Sequence, residues 1–217
     1  MKNTFRLSKY FRFLRVAGFC MATVIFFVPL AGASGEGASP QETLNVFMET
    51  LRSMEFPVTD IARHGELVKK ADAFLDLDAM GQASIRQRWE QVSVEERREF
   101  LKLLWKQIEN IAYRTSHDFL GDLKVTYPET HADSKGFVVK SVVHREEAAL
   151  DGEVIYHLHQ KEGQWKIDDV ILDGVSIIED LKYQFDKIIR DSSFTGLLAR
   201  MQERLDEVEK ENQGDSS

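Results

Sequence analysis

The residues best placed for chemistry are few. His157 and His159 in "YHLHQ" stand two apart in a β-rich stretch, so both point to one face of a strand and could share a metal ion. Two ligands are too few for a site, and no Cys or further His lies near enough in sequence to complete one. Asp168, Asp169 and Asp173 form a small carboxylate group in "WKIDDVILDG". A carboxylate near a turn serves most simply as an acceptor for backbone N–H groups, with general-base chemistry as the alternative. His64, His117, His131 and His144 are isolated. Ser176 lacks the G-x-S-x-G surroundings of a nucleophile, and helix capping accounts for it. No phosphate-binding glycine loop or dinucleotide fingerprint is present. The expected catalytic set, metal set and cofactor set are therefore all empty.

The elements that must carry these residues begin after residue 33. Lys2, Arg6, Lys9, Arg12 and Arg15 precede the uncharged run "VAGFCMATVIFFVPL", and Ala31 and Ala33 follow at signal-peptidase spacing. This is the pattern of a secretory signal peptide, 1–33. The apolar run is short for a membrane span of ~20 residues. Cleavage would leave 184 of the 217 residues, suited to one domain. The five basic residues would leave with the signal, so 23 basic and 36 acidic residues would remain, a formal charge of −13. Such a balance argues against nucleic acid and against an anionic membrane surface. Cys20, the single cysteine, would also leave, and the core alone would have to stabilise the domain.

A leader, 34–39, precedes a first helix opened by the capping box Ser39-Pro40-Gln41-Glu42, with Leu44, Phe47, Met48 and Leu51 inward. Further helices are expected over about 60–74, with Ile61, Leu67, Val68, Ala71 and Phe74 inward, and over about 78–89. Ser93-Val94-Glu95-Glu96 opens another, carried by Phe100, Leu103, Leu104, Ile108 and Ile111 to about Thr115. Four strands follow, about 123–127, 136–146, 152–161 and 164–173, the last three an antiparallel meander turning at Asp151-Gly152 and Glu162-Gly163. Helices then start at a third capping box, Ser176 to Glu179, and at a stripe of Leu197, Leu198, Met201, Leu205 and Val208. Helices, then sheet, then helices make an α+β fold. Residues 204–217 read as an acidic polar tail.

The segment Trp165–Phe185 joins a strand to a helix with almost no loop. Trp165 and Ile167 share one face, while Val170 and Leu172 fall on the other by simple counting. Either a β-bulge at Asp168-Asp169 restores the phase or the strand is apolar on both faces. Gly174 permits a tight reversal, and the apolar stripe of the helix must fold back on the sheet. By this pattern alone the favoured reading is that these side chains fill a core, and the alternative is that they line a large apolar cavity between sheet and helices.

This segment resembles the signature of the MlaC family, also called the toluene-tolerance auxiliary family: Trp165, Asp169-Val170, Gly174-Val175-Ser176 and Lys182 to Phe185. "WEQVSVEERREFLKLLWKQIENIAY" and "VIYHLHQKEGQW" are also similar, and the likeness covers about Glu42 to Met201. Lys182 replaces the usual Arg, and Ala112 stands where Thr is common. The resemblance implies a curved antiparallel sheet of about four strands, NTF2-like, covered by helices around an apolar lipid cavity within residues 40–203. It implies a monomeric periplasmic phospholipid carrier rather than an enzyme, serving an outer-membrane lipoprotein–porin complex and an inner-membrane ABC transporter. The wall residues expected on that basis are Phe100, Leu104, Ile108, Tyr156, Val170, Leu172, Val175, Ile178 and Phe185. The alternatives are an NTF2-like enzyme with Asp168 or Asp169 as base, a carrier of a hopanoid-like lipid, and an interaction module with a filled core.

Overall fold

The computed structural model describes residues 38–121, 123–145 and 150–214. The expected signal peptide and most of the leader lie outside the described residues. Helices α1 (Pro40–Arg52), α2 (Ile61–Asp72), α3 (Leu77–Ser84) and α4 (Val94–Gln107) come first. A π-helical segment (Ile108–Ala112) continues α4 directly into α5 (Tyr113–Leu120). Strands β1 (Lys124–Ala132), β2 (Phe137–Arg145), β3 (Leu150–Lys161), β4 (Gln164–Leu172) and β5 (Val175–Ser176) pair antiparallel in sequence order. Helices α6 (Ile177–Ser192) and α7 (Phe194–Gly214) end the fold. The α+β expectation holds, with one short strand more than the sequence suggested.

Two of the three capping boxes form in full. Ser39 and Glu42 satisfy each other's backbone N–H groups at 3.2 and 2.7 Å, and Ser93 and Glu96 do so at 3.2 and 2.8 Å. These bonds hold the Glu42 and Glu96 carboxyls below the usual carboxylate range. At α6 only half of the box forms. Ser176 accepts from the Glu179 N–H at 3.1 Å, while the Glu179 carboxylate pairs with Lys182 at 2.9 Å. Ser93→Ala should cost about 1 kcal/mol, read as a lower urea midpoint at unchanged slope.

Several local expectations are corrected. Ile61 is 82% exposed, not inward, because it opens α2 beyond the stretch that α1 covers. Helix α3 stops at Ser84 rather than Trp89, since Ile85 leaves helical geometry to bury itself at 1% exposure. Asp151-Gly152 is not a turn: both residues lie in the β2–β3 ladder opposite His144 and Val143. The polar tail does not begin at 204, because α7 continues to Gly214 with Leu205 and Val208 buried. Glu162-Gly163 does turn, with φ of 53° and 76°, the two left-handed residues of a tight hairpin.

The apolar interior has two parts. A sheet-side cluster joins α1, α2 and α5 to one face of β2–β4, with Leu44, Phe47, Val139, Leu158 and Ile167 at its centre. A helical cluster joins Ile85, α4, α6 and α7 around Phe100 and Leu197. Ile108 packs against both.

Candidate functional site

The strand β4 reaches its place through the expected bulge. Leu158 pairs with Ile167 and His157 with Asp169, so Asp168 is the extra residue. The bulge restores the phase: Ile167 and Val170 share the face covered by α1, α2 and α5, as their partners Leu158 and Tyr156 do. Beyond Leu172, Asp173 (φ 48°) and Gly174 (φ 82°) reverse the chain in two residues, and Val175 returns opposite Leu172. Asp169 locks this corner. Its carboxylate accepts from the Val170 N–H at 2.8 Å, the Ser176 hydroxyl at 2.6 Å and the Ile178 N–H at 3.3 Å. That is the acceptor role the sequence favoured.

Residues paired across neighbouring strands share a face. One such row on the helix-covered face runs Ser141, Val154, Leu172, Val175. Exposure along it rises from 0% to 5%, 41% and 59%. The helices therefore cover this face over β2 and β3 and leave it open toward β5. The next row, Val139, Tyr156, Val170, lies deeper, with Tyr156 at 7%. Burial pushes the Tyr156 phenol well above its ordinary range, and its hydroxyl lies 4.0 Å from the Met48 sulfur.

The two clusters join at Ile108. Buried Leu104, half-buried Ile108 and buried Tyr113 are four and then five residues apart, and the five-residue step is what the π turn absorbs. The Tyr113 N–H reaches the Ile108 carbonyl. That irregular spacing was present in the sequence, but it reads as an ordinary helix unless Tyr113 is known to be buried. Asp72 holds both sides of the π turn, accepting from Trp105 Nε1 at 2.8 Å and from the Tyr113 hydroxyl at 2.7 Å. Burial raises the Asp72 carboxyl, and these two bonds only partly offset it.

The nine expected wall residues divide among these places. Phe100, Leu104 and Phe185 belong to the helical cluster, with the Phe100 and Phe185 rings edge-on at 5.7 Å. Tyr156 and Val170 lie in or against the sheet-side cluster, and Ile108 touches both. Ile178 is buried at the start of α6. Leu172 and Val175 are exposed at the open end of the sheet.

The polar candidates lie elsewhere. His159 stands between Asp76 (Nε2, 3.0 Å) and Asp168 (Nδ1, 3.1 Å), on the sheet face opposite Tyr156 and Val170. Sequence distance hid this partnership, since Asp76 is 83 residues away. His157 is 3.9 Å from Asp133. Among the described residues, no group of three or more His, Cys, Asp or Glu side chains is arranged to hold a metal. Asp169 has both oxygens occupied by donors, and Asp168 is engaged by His159, so neither stands as a free base in an apolar pocket.

The sequence matches the family described as MlaC protein over residues 41–203, most of the chain. The chain belongs to the MlaC family. A search of curated proteins returned no match. Among solved structures, the fold is similar to that of the phospholipid-binding protein from Ralstonia solanacearum, determined in complex with a phospholipid. Identity is 18%, the TM-score is 0.64, and the match covers 77% of this chain and 95% of that one. The MlaC match ends within α7, short of Leu205 and Val208.

Proposed function

We propose that this MlaC-family chain is a soluble periplasmic phospholipid carrier. It encloses acyl chains and shuttles lipid between an outer-membrane lipoprotein–porin complex and an inner-membrane ABC transporter. The observation that carries this reading is the graded exposure from Ser141 to Val175 on the helix-covered face, which leaves Leu172 and Val175 as uncovered apolar side chains at its end. Family membership and the phospholipid held by the Ralstonia protein support it.

The physical requirement is severe. A diacyl phospholipid carries about 30 methylenes, and at ~0.8 kcal/mol each their exposure to water costs on the order of 25 kcal/mol. A carrier must therefore cover both tails. Two apolar clusters joined through Ile108 can part around a chain and close without exposing either core. Leu172 and Val175 are the mouth in this reading, and Tyr156, Val170, Ile108, Phe100, Leu104, Ile178 and Phe185 the walls. The head group stays in solvent, so the site needs no charged clamp.

Native mass spectrometry of protein purified from the periplasm without detergent tests this. The expected result is an adduct of phospholipid mass. Leu172→Glu and Val175→Glu alter exposed residues and should fold normally. Each should reduce the adduct at least about tenfold, since an unpaired carboxylate against an acyl chain costs on the order of several kcal/mol. A lipid-free mass both from the periplasm and after incubation with liposomes would overturn the reading.

A further inference from the structure

Helix α7 runs on past residue 203, where the MlaC match stops, and its added turns do not simply enter solvent. Leu205 is 3% exposed and Val208 6%. They continue the buried stripe of Phe194, Leu197 and Met201 at helical spacing. Two contacts fix where that stripe lies. The Phe194 ring packs on Phe100 at 6.0 Å, and the Gln107 amide donates to the Met201 carbonyl at 3.1 Å. Both pairs are 94 residues apart, so α7 runs parallel to α4 in a constant register. Continued at ~1.5 Å per residue, this register sets Leu205 level with Ile111 and Val208 level with the first turn of α5. α7 indeed packs on the π segment. Leu205 is also part of the helical cluster that Ile108 touches.

We infer that the α7 extension, through Leu205 and Val208, forms an end wall of the acyl-chain pocket and limits the chain length that this protein accepts. The inference rests on the carrier reading above. An apolar pocket selects length by where its far wall stands, because each methylene removed from water is worth about fourfold in affinity. The junction at Ile108 is where the two clusters would part, and the added turns of α7 stand beside it. Shortening Leu205 or Val208 moves the wall back by one to three carbons.

The test incubates the full chain with liposomes holding equal amounts of dimyristoyl, dipalmitoyl and distearoyl phosphatidylethanolamine. The bound lipid is then extracted and weighed by mass spectrometry. Leu205→Ala and Val208→Ala should raise the bound distearoyl-to-dimyristoyl ratio at least about threefold, and Val208→Leu should lower it. Val208→Ala removes only two carbons and keeps the test open if Leu205→Ala fails to fold. A wall that served stability alone would lower the urea midpoint and leave the ratio unchanged. An unchanged ratio in folded variants that still bind lipid overturns this inference and leaves the carrier reading intact. No lipid on the unmodified chain overturns both.

Discussion

Phe100→Ala should lower the folding free energy by about 3–5 kcal/mol, the largest single loss expected in this chain. The ring is fully buried, edge-on to Phe185 at 86° and tilted against Phe194 at 50°. Three helices, α4, α6 and α7, therefore meet on one side chain. The hole left behind cannot close easily. Gly81 already brings α3 so near α4 that an added Cβ would stand 2.3 Å from Leu101 and 3.6 Å from the Phe100 ring. Urea unfolding followed by circular dichroism should show a reduced midpoint at unchanged slope. Leu172→Ala provides the contrast. It is also one of the expected pocket residues, but its 41% exposure predicts a loss of only about 0.5 kcal/mol. A loss below about 1.5 kcal/mol for Phe100→Ala would show that the helical cluster repacks around the missing ring.

That contrast shows where the sequence stops being informative. Phe100 and Leu172 look alike as apolar residues in periodic segments, and only the covering helices separate them. Local devices were legible because each is complete within a few residues. The bulge at Asp168 shows as a slip of phase, the reversal at Asp173-Gly174 as an Asp-Gly pair, and the Ser39 and Ser93 caps as Ser followed three residues later by Glu. Ile61 fails for the opposite reason. Periodicity names the face of α2 that should be buried, not how far the partner surface extends, and at the first turn of α2 it has ended. Asp151-Gly152 has turn chemistry but sits in a strand, because ladder pairing with β2 overrides local preference. The open side of the site was not legible at all. The rise in exposure from Ser141 to Val175 depends on which strands the helices cover, and no single segment encodes that.

The polar counterpart of Phe100 is Asp76, whose replacement by Ala should cost about 2–4 kcal/mol. It caps α3 through the Ala79 N–H at 3.1 Å and meets Lys161 at 2.9 Å and His159 at 3.0 Å, with its side chain 4% exposed. Its backbone N–H also reaches the Ile167 carbonyl at 2.9 Å, so the residue fastens the α2–α3 link to the edge of β4. Burial pushes the Asp76 carboxyl up. The bonds from Lys161, Ala79 and His159 together outweigh it and hold the group below its ordinary value. A depressed carboxyl contributes stability that is fully present above the unfolded value of about 3.9 and is lost as pH falls through the folded value. The same pairing raises Lys161, whose contribution is complete below about pH 10.4 and is lost as pH rises through its folded value. The pair should therefore stabilise the fold between about pH 4 and pH 10. Asp76→Asn keeps the shape and removes the charge. Against the unmodified protein its deficit in urea midpoint should be greatest near neutral pH and shrink below about pH 4. Parallel curves across the acid range would mean that the carboxylate acts only as a cap for α3, and that the ion pair with Lys161 adds nothing to the joint between helix and sheet.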